Sequence, residues 1–281
     1  VAPSLLVIGC GDLGGACANY FAAQGWPVAG VRRQPFALPG VTAIAADVTR
    51  PETLQPLAAL TPAYVLIVLT PGGFNDERYR AVYVDGLRNV LAALDRSHLR
   101  RVFWVSSTSM FDQDDGELLD ETSPAAPRGF SGRRLLEAEA VLAQSGLPHT
   151  IVRLGGIYGP GRDRLLRQLR DGRRTPPTPL RISNRIHRDD AVGLLQFLID
   201  AAARGIALAS LYLGVDTEPT PITDVERWLA NHLQLDYDAM SVQDGDLRGG
   251  NKRCSSARLQ QLGYRFVYPS YREGLAALAA T

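Results

Sequence analysis

Val7-Ile8-Gly9-Cys10-Gly11-Asp12-Leu13-Gly14 is the stretch that decides the fold. The apolar run Leu5-Leu6-Val7-Ile8 before it has the length and composition of a buried strand. Gly15 to Ala23 after it reads as a helix that stops at Gln24-Gly25. Gly-x-Gly-x-x-Gly held between a strand and a helix is the context that turns a soft pattern into a phosphate-binding turn. Gly9 permits the tight turn, Gly11 lets backbone approach a pyrophosphate, and Gly14 lets the helix pack close to the strand. Asp12 and Leu13 complete the cofactor-binding turn ahead of the helix, whose free N–H groups and positive dipole end serve the phosphates.

Outward from this turn, apolar strands and helical runs alternate. Val28-Ala29-Gly30-Val31 is a second strand ending at Arg32-Arg33, and Val41 to Ala46 is a third ending at Asp47-Val48. Pro51 opens a short helix to about Leu60. Ala63 to Leu69 is a fourth strand, apolar throughout and so buried on both faces; Thr70-Pro71-Gly72-Gly73 leaves it as a loop. A long helix is expected from about Asn75 to Arg96. Arg101 to Val105 is a fifth strand running into Ser106-Ser107-Thr108-Ser109, and His149 to Arg153 a sixth, preceded by a helix over about 132–144. This alternation predicts an α/β fold, a Rossmann-like doubly wound parallel sheet with right-handed crossovers. Ligands of such sheets bind beyond the carboxyl ends of the strands. That edge would carry Gly9 to Gly14, Arg32, Asp47, Thr70 to Gly73, Ser106 to Ser109 and Leu154 to Ile157. An acidic residue at the end of the second strand would hold a ribose 2′-hydroxyl, whereas arginine suits a 2′-phosphate. Arg32-Arg33 stands there with no carboxylate, which predicts NADP over NAD.

The rhythm changes after residue 153. Residues 1–153, with 183–205 returning to them, are expected to form the dinucleotide-binding domain. Residues 154–182 and 206–281 are expected to form a smaller substrate-side domain. Arg162 to Arg174 holds six arginines, read as a solvated face or as a grip on a substrate anion. Asp112 to Arg128 and Asp244 to Gly250 read as loops, and short helices are expected at 223–235, 256–262 and 271–280. Over 281 residues the formal net charge is only +1, which argues against a general polyanion binder. Three cysteines without C-x-x-C spacing suit a reducing cytoplasm and predict neither a disulfide framework nor a metal site. No apolar stretch approaches the ~18 residues that span a bilayer. A small-molecule substrate, not nucleic acid or a membrane, is therefore expected.

Taken in order, the segments resemble an extended, atypical short-chain dehydrogenase/reductase of the NAD(P)-dependent epimerase/dehydratase kind, over nearly the full length. Gly9 to Gly14 is similar to the family's nucleotide turn, and Asp47-Val48 to its adenine-contacting pair. Tyr83-Val84-Asp85-Gly86-Leu87-Arg88-Asn89 resembles N-x-x-G-T-x-N, and Phe103 to Phe111 resembles the strand delivering the active-site serine, with Ser107 at its place. Arg153-Leu154-Gly155-Gly156-Ile157-Tyr158-Gly159-Pro160-Gly161 resembles R-P-x-x-x-Y-G-P-G beside the nicotinamide. Arg185-Ile186-His187-Arg188-Asp189-Asp190 resembles I-H-x-x-D near the substrate. The resemblance implies cofactor contacts from Ser106, Leu154, Gly156 and Ile157. It also implies a homodimer contact through the helices near 75–96 and 132–144.

The departure is at the catalytic pair. Where the family has Tyr-x-x-x-Lys, this chain has Phe130-Ser131-Gly132-Arg133-Arg134, so Phe130 stands for the tyrosine and Arg134 for the lysine. Phenylalanine carries no exchangeable proton, and arginine can bind a ribose but does not deprotonate. Lys252 is the only lysine in the chain. Ser107, Thr108 and His187, with Arg134, are the candidate catalytic residues. Two readings stand: an oxidoreductase, epimerase or dehydratase acting on a small polar or sugar-like substrate, or an NADP(H)-binding sensor without turnover.

Overall fold

Nearly every apolar run becomes a strand and the amphipathic runs between them become helices. The structure, a computed structural model, describes residues 2–242 and 250–280. In chain order the elements are β1 (Leu5–Ile8), α1 (Asp12–Ala23), β2 (Val28–Arg32), β3 (Val41–Ala45), a 3-10 helix (Pro51–Ala59), β4 (Tyr64–Ile67), α2 (Asp76–Tyr79), a π-helical stretch (Arg80–Asp85) and α3 (Gly86–Ala93). Next are β5 (Arg101–Ser107), a 3-10 turn (Thr108–Met110), β6 (Glu117–Leu119), α4 (Phe130–Gln144), β7 (His149–Leu154), β8 (Gly156–Tyr158) and α5 (Arg164–Arg170). Then follow β9 (Arg173–Arg174), β10 (Ile182–Ser183), β11 (Arg185–His187), α6 (Arg188–Ala203), β12 (Leu211–Gly214), β13 (Thr220–Pro221) and α7 (Ile222–His232). The chain closes with β14 (Ser241–Val242), β15 (Lys252–Cys254), α8 (Ala257–Gln261) and α9 (Tyr271–Ala279).

Contacts divide the chain into two units. The first comprises Val1–Met110, Ala125–Arg153 and Val192–Tyr212; the second comprises Phe111–Pro124, Leu154–Ala191 and Leu213–Thr281. The central sheet has seven strands in the order β12-β7-β5-β4-β1-β2-β3. The pairings β1–β2, β1–β4, β2–β3 and β4–β5 are all parallel. Chain direction across the sheet reverses between β1 and β4, so the crevice beyond their carboxyl ends is the topological switch point. Leu6, Ile8, Val31, Val65, Ile67 and Trp104 carry the sheet's share of one buried cluster, and Leu54, Leu57, Leu87, Val90, Ala138 and Leu142 carry the helices' share. Each Val, Leu or Ile side chain among them contributes about 1.5–3 kcal/mol when fully buried. Beneath this sheet edge a buried ion pair joins α4 to β7. Arg153 Nε and Nη2 donate to the two Glu139 oxygens at 3.1 and 2.7 Å.

The second unit has its own core, built from Leu166 and Leu169 of α5, Val225 and Leu229 of α7, and Tyr271, Leu275 and Leu278 of α9.

Two expectations are corrected. The helix expected from 75 to 96 is α2, the π-helical stretch and α3, and it ends at Ala93. Gly86 follows the π stretch because a Cβ there would stand 2.7 Å from Val48 Cγ2; the widened turn accompanies this close approach. The loop expected over 112–128 contains β6, which pairs in parallel with β15. Its partner lies more than a hundred residues away, beyond the reach of local pattern. The loop expected over 244–250 lies, apart from Gly250, outside the described residues.

Candidate dinucleotide site

The phosphate turn hangs from β2. The Gly9 and Cys10 N–H groups both donate to Val31 O, at 3.0 and 2.8 Å. Gly9 has φ +89°, and a Cβ there would lie 1.9 Å from Val68 O, so glycine is obligatory at the switch point. A Cβ on Gly14 would lie 2.3 Å from Gly9 O, which explains the close entry of α1. Gly11 differs: apart from its chain neighbours, nothing among the described residues lies within 4 Å of where its Cβ would be. That empty space beside the α1 N-terminus is where the motif places a pyrophosphate. Asp12 is exposed and begins α1, while Leu13 is buried at 4% exposure, so Leu13 offers the site its backbone only. Cys10 is buried against Gly30, where a Cβ would meet its sulfur at 2.8 Å. Burial pushes its thiol up to about 11, with Arg32 pulling the other way. A neutral thiol packed in the turn fits a filler rather than a nucleophile.

The ends of β2, β3 and β4 form the adenosine side. Arg32 and Arg33 are both exposed, and the Arg33 guanidinium lies 3.6 Å from where a Gly72 side chain would begin. Asp47 accepts from Thr49 N and Oγ1 at 2.9 and 2.8 Å. Its carboxyl stays below the usual range although burial opposes this; the Thr49 bonds outweigh that cost, and Arg33 and Arg50 add to them. Asn89 Nδ2 donates to Val48 O at 2.8 Å. Gly86 and Asn89 of the Tyr83 to Asn89 motif thus support the Asp47-Val48 loop from below. Thr70 is exposed and Pro71 buried in the loop leaving β4.

At the end of β5, Ser106 is 5% exposed and its Oγ has no hydrogen-bond partner among the described residues. A buried hydroxyl left so costs about 1–3 kcal/mol, and a bound ligand at the strand end would recover it. Ser107 Oγ accepts the Ser109 N–H at 3.1 Å and keeps its own proton to donate. Thr108 is buried. The open space at Gly11 and the orphaned Ser106 hydroxyl fit a nicotinamide dinucleotide.

Phe130 and Arg134 share one face of α4, and that face is occupied. The Phe130 ring packs on Phe74 and Tyr79 at centroid distances of 4.9 and 5.4 Å. Arg134 forms a bidentate pair with Asp76 at 2.7 and 2.9 Å and a third bond to Glu137 at 2.8 Å. These bonds hold its guanidinium firmly protonated. Sequence reasoning missed Asp76 as the partner of Arg134, since nothing local links residues 58 positions apart.

Leu154, Gly156, Ile157 and His187 fall in the second unit. There β8 and β11 pair in parallel, with Gly156 opposite Arg185, Ile157 opposite Ile186 and Tyr158 opposite His187. The two motif segments are therefore one ladder. His187 is 2% exposed, with the Tyr268 ring at 3.8 Å and the Tyr158 ring at 5.3 Å. Its Nδ1 accepts the Asp189 N–H at 3.2 Å, which puts the proton on Nε2. Burial holds it below the usual histidine range against the pull of Asp189 and Asp190, so it is a neutral N–H donor at pH 7. Asp190 is buried and accepts from Val267 N and Tyr268 N, each at 2.8 Å, and from Tyr264 Oη at 3.0 Å. It is the clasp that sets Tyr268 on His187.

A parallel sheet with a glycine turn at its switch point, an arginine-ended β2 and a supported Asp-Val loop defines a Rossmann-type dinucleotide-binding protein. The chain belongs to the NAD(P)H-binding family, whose model matches residues 9–190. It is similar over its full length to a Methylobacillus flagellatus structure assigned as an NAD-dependent epimerase/dehydratase. The identity is 40%, the TM-score 0.86, and coverage 100% of this chain and 98% of the other. A functionally unknown conserved protein from Silicibacter pomeroyi is 28% identical, with a TM-score of 0.77 and 99% coverage of both chains. The NAD complex of UDP-glucose 4-epimerase from Thermus thermophilus shares the fold at 18% identity and a TM-score of 0.79, covering 99% of this chain and 98% of that one. No curated protein sequence matches the chain. No helix among the described residues is long and apolar enough to cross a membrane.

Proposed function

We propose that the protein is an NADP(H)-dependent oxidoreductase of the epimerase/dehydratase type, acting on a small polar or sugar-like substrate. The observation that carries the choice of NADP is the end of β2. Arg32 and Arg33 stand there exposed, no carboxylate accompanies them on that strand, and Arg33 reaches toward Gly72. The nicotinamide would supply hydride exchange. The Gly11 turn would hold the pyrophosphate, the arginines the 2′-phosphate, and Ser106 a polar group at the end of β5. Proton handling passes from the Phe130 and Arg134 positions to other groups. Ser107, with a free hydroxyl proton, is the candidate that touches substrate; Thr108 is buried and would act as a donor beside it, and His187 is the candidate donor of the second unit. The three cysteines are buried thiols without a disulfide among the described residues, which supports a cytoplasmic setting. The test is turnover of NADPH with a panel of small carbonyl and sugar substrates. Activity abolished by Ser107→Ala supports the proposal, and a panel without turnover contradicts it.

A second reading has its own support: a cofactor-binding sensor without turnover. Phe130 and Arg134 are committed to side-chain packing and ion pairing. A sensor would distinguish NADP⁺ from NADPH in affinity, and equal affinities would exclude it.

A further inference from the structure

The second unit carries an arginine groove that the dinucleotide site does not use. Arg164, Arg167, Gln168, Asp171 and Arg173 line a cavity of about 180 Å³. The first four recur at helical spacing along α5 and its C-cap, so one face of a short helix supplies them. Arg173 comes from the adjoining strand β9. Two of the arginines have one carboxylate each, Arg167 with Asp163 at 3.2 Å and Arg173 with Asp171 at 2.7 Å. Arg164 has none among the described residues, so among the described residues the groove keeps an excess of positive charge. Arg174 and Arg227, nearby, are engaged elsewhere: they flank the Tyr237 ring at 5.4 and 4.5 Å.

Both walls of the groove are fixed from beneath by one acid. Glu226 is wholly buried and accepts four hydrogen bonds from neutral donors. Gln168 Nε2 donates at 2.9 Å from the α5 wall. Thr175 N and Oγ1 donate at 2.9 and 2.5 Å from the segment that continues β9. Tyr237 Oη donates at 3.2 Å. Gln168, itself 9% exposed, both lines the groove and holds it to this network. A solvated arginine face needs no such foundation, whereas a site that holds guanidinium groups at fixed separation does.

We infer that this groove is an anion site for a phosphate-bearing small molecule, held through its phosphate. Guanidinium forks match phosphate oxygens in bidentate geometry. The volume falls below the ~300–1,000 Å³ of pockets that engulf a drug-sized ligand, so it takes a phosphate or diphosphate group and leaves the remainder outside. Three arginines in a pocket this small do not form the long basic stripe that a nucleic acid requires. The inference is independent of the function proposed for the dinucleotide site.

The test is calorimetric titration of the full chain, with and without saturating NADP⁺, using pyrophosphate, inorganic phosphate and glucose 1-phosphate. Saturable pyrophosphate binding is expected to persist when saturating NADP⁺ occupies the phosphate turn of the dinucleotide site, and only binding that persists is assigned to the groove. Arg164→Gln and Arg173→Gln are each expected to weaken it about tenfold or more, the scale of one charged hydrogen bond, while the melting temperature holds. Tighter binding of glucose 1-phosphate than of phosphate identifies an ester ligand, and equal binding identifies the free ion; either supports the site. Lack of saturable binding, displacement by NADP⁺, indifference to both substitutions, or binding only of RNA or anionic vesicles would overturn it.

Discussion

Gly11→Ala separates a cofactor-binding glycine from a structural one. The protein itself leaves the position open, since, apart from its chain neighbours, nothing among the described residues lies within 4 Å of the new methyl group. The backbone φ of −95° lies outside the left-handed region that favours glycine. Gly11 is the N-cap of α1, where alanine is poorer than glycine, a loss of stability that urea denaturation reads separately from binding. A bound pyrophosphate would fill the same space, and the methyl group would push it off the helix N–H groups. Loss of one such charged hydrogen bond is worth about 1.5–3 kcal/mol, or roughly 10- to 100-fold in affinity. Gly9→Ala is the contrast. Its φ of +89° and the 1.9 Å approach to Val68 O disrupt the fold itself, at a cost of about 3 kcal/mol or more. Calorimetric titration with NADP⁺ and urea denaturation of both variants read the two effects. Gly11→Ala binding NADP⁺ as the parent does would refute the assignment of that space to the pyrophosphate.

Other consequences follow from the same structure. Glu139→Gln strands Arg153 in a buried site and should cost about 3–5 kcal/mol in urea denaturation, while Glu139→Leu with Arg153→Met should recover most of it. Asp216 is buried and its carboxyl is pushed up to about 7, with Arg185 opposing. The folded state thus retains a proton that the unfolded state releases near 3.8. Stability from this group is full below that pH and falls by about 1.4 kcal/mol per unit as pH rises toward 7. Asp216→Asn should flatten that part of the pH–stability curve, and an unchanged slope would contradict the assignment. His187 should titrate below the usual histidine midpoint of ~6.5 in an NMR titration; a higher midpoint would mean that Asp189, not burial, governs it. Phe130→Tyr with Arg134→Lys should raise any NADPH-dependent turnover by about 10²-fold, the lower end of general acid–base catalysis, if the remaining site is competent.

The sheet was legible because parallel strands buried on both faces are uniformly apolar and their helices are not. The glycine turn was legible because each glycine answers a separate steric demand, and two of the three demands appear as contacts of the protein itself. Local pattern did not show what depends on distant partners. The β6–β15 ladder, the Asp76–Arg134 pair and the Gly86–Val48 contact join segments that carry no mutual mark. Tyr158 and His187 were readable as motif members, but not as an edge-to-face pair with the histidine buried. Their environment is set by Asp190 and by the Tyr264–Tyr268 segment, more than seventy residues further on. Glu226, which holds the arginine groove, looks in sequence like any helical surface glutamate and is revealed only by its four donors.

The most direct measurement is calorimetric titration of nucleotide-stripped protein with NADP⁺, NADPH, NAD⁺ and NADH, repeated with Arg32→Ser and Arg33→Ser together. Binding of the phosphorylated pair about tenfold or more tightly than NAD⁺ and NADH is predicted, with the preference lost in the double variant. Equal binding of all four, a preference that survives loss of both arginines, or binding of none would contradict the account.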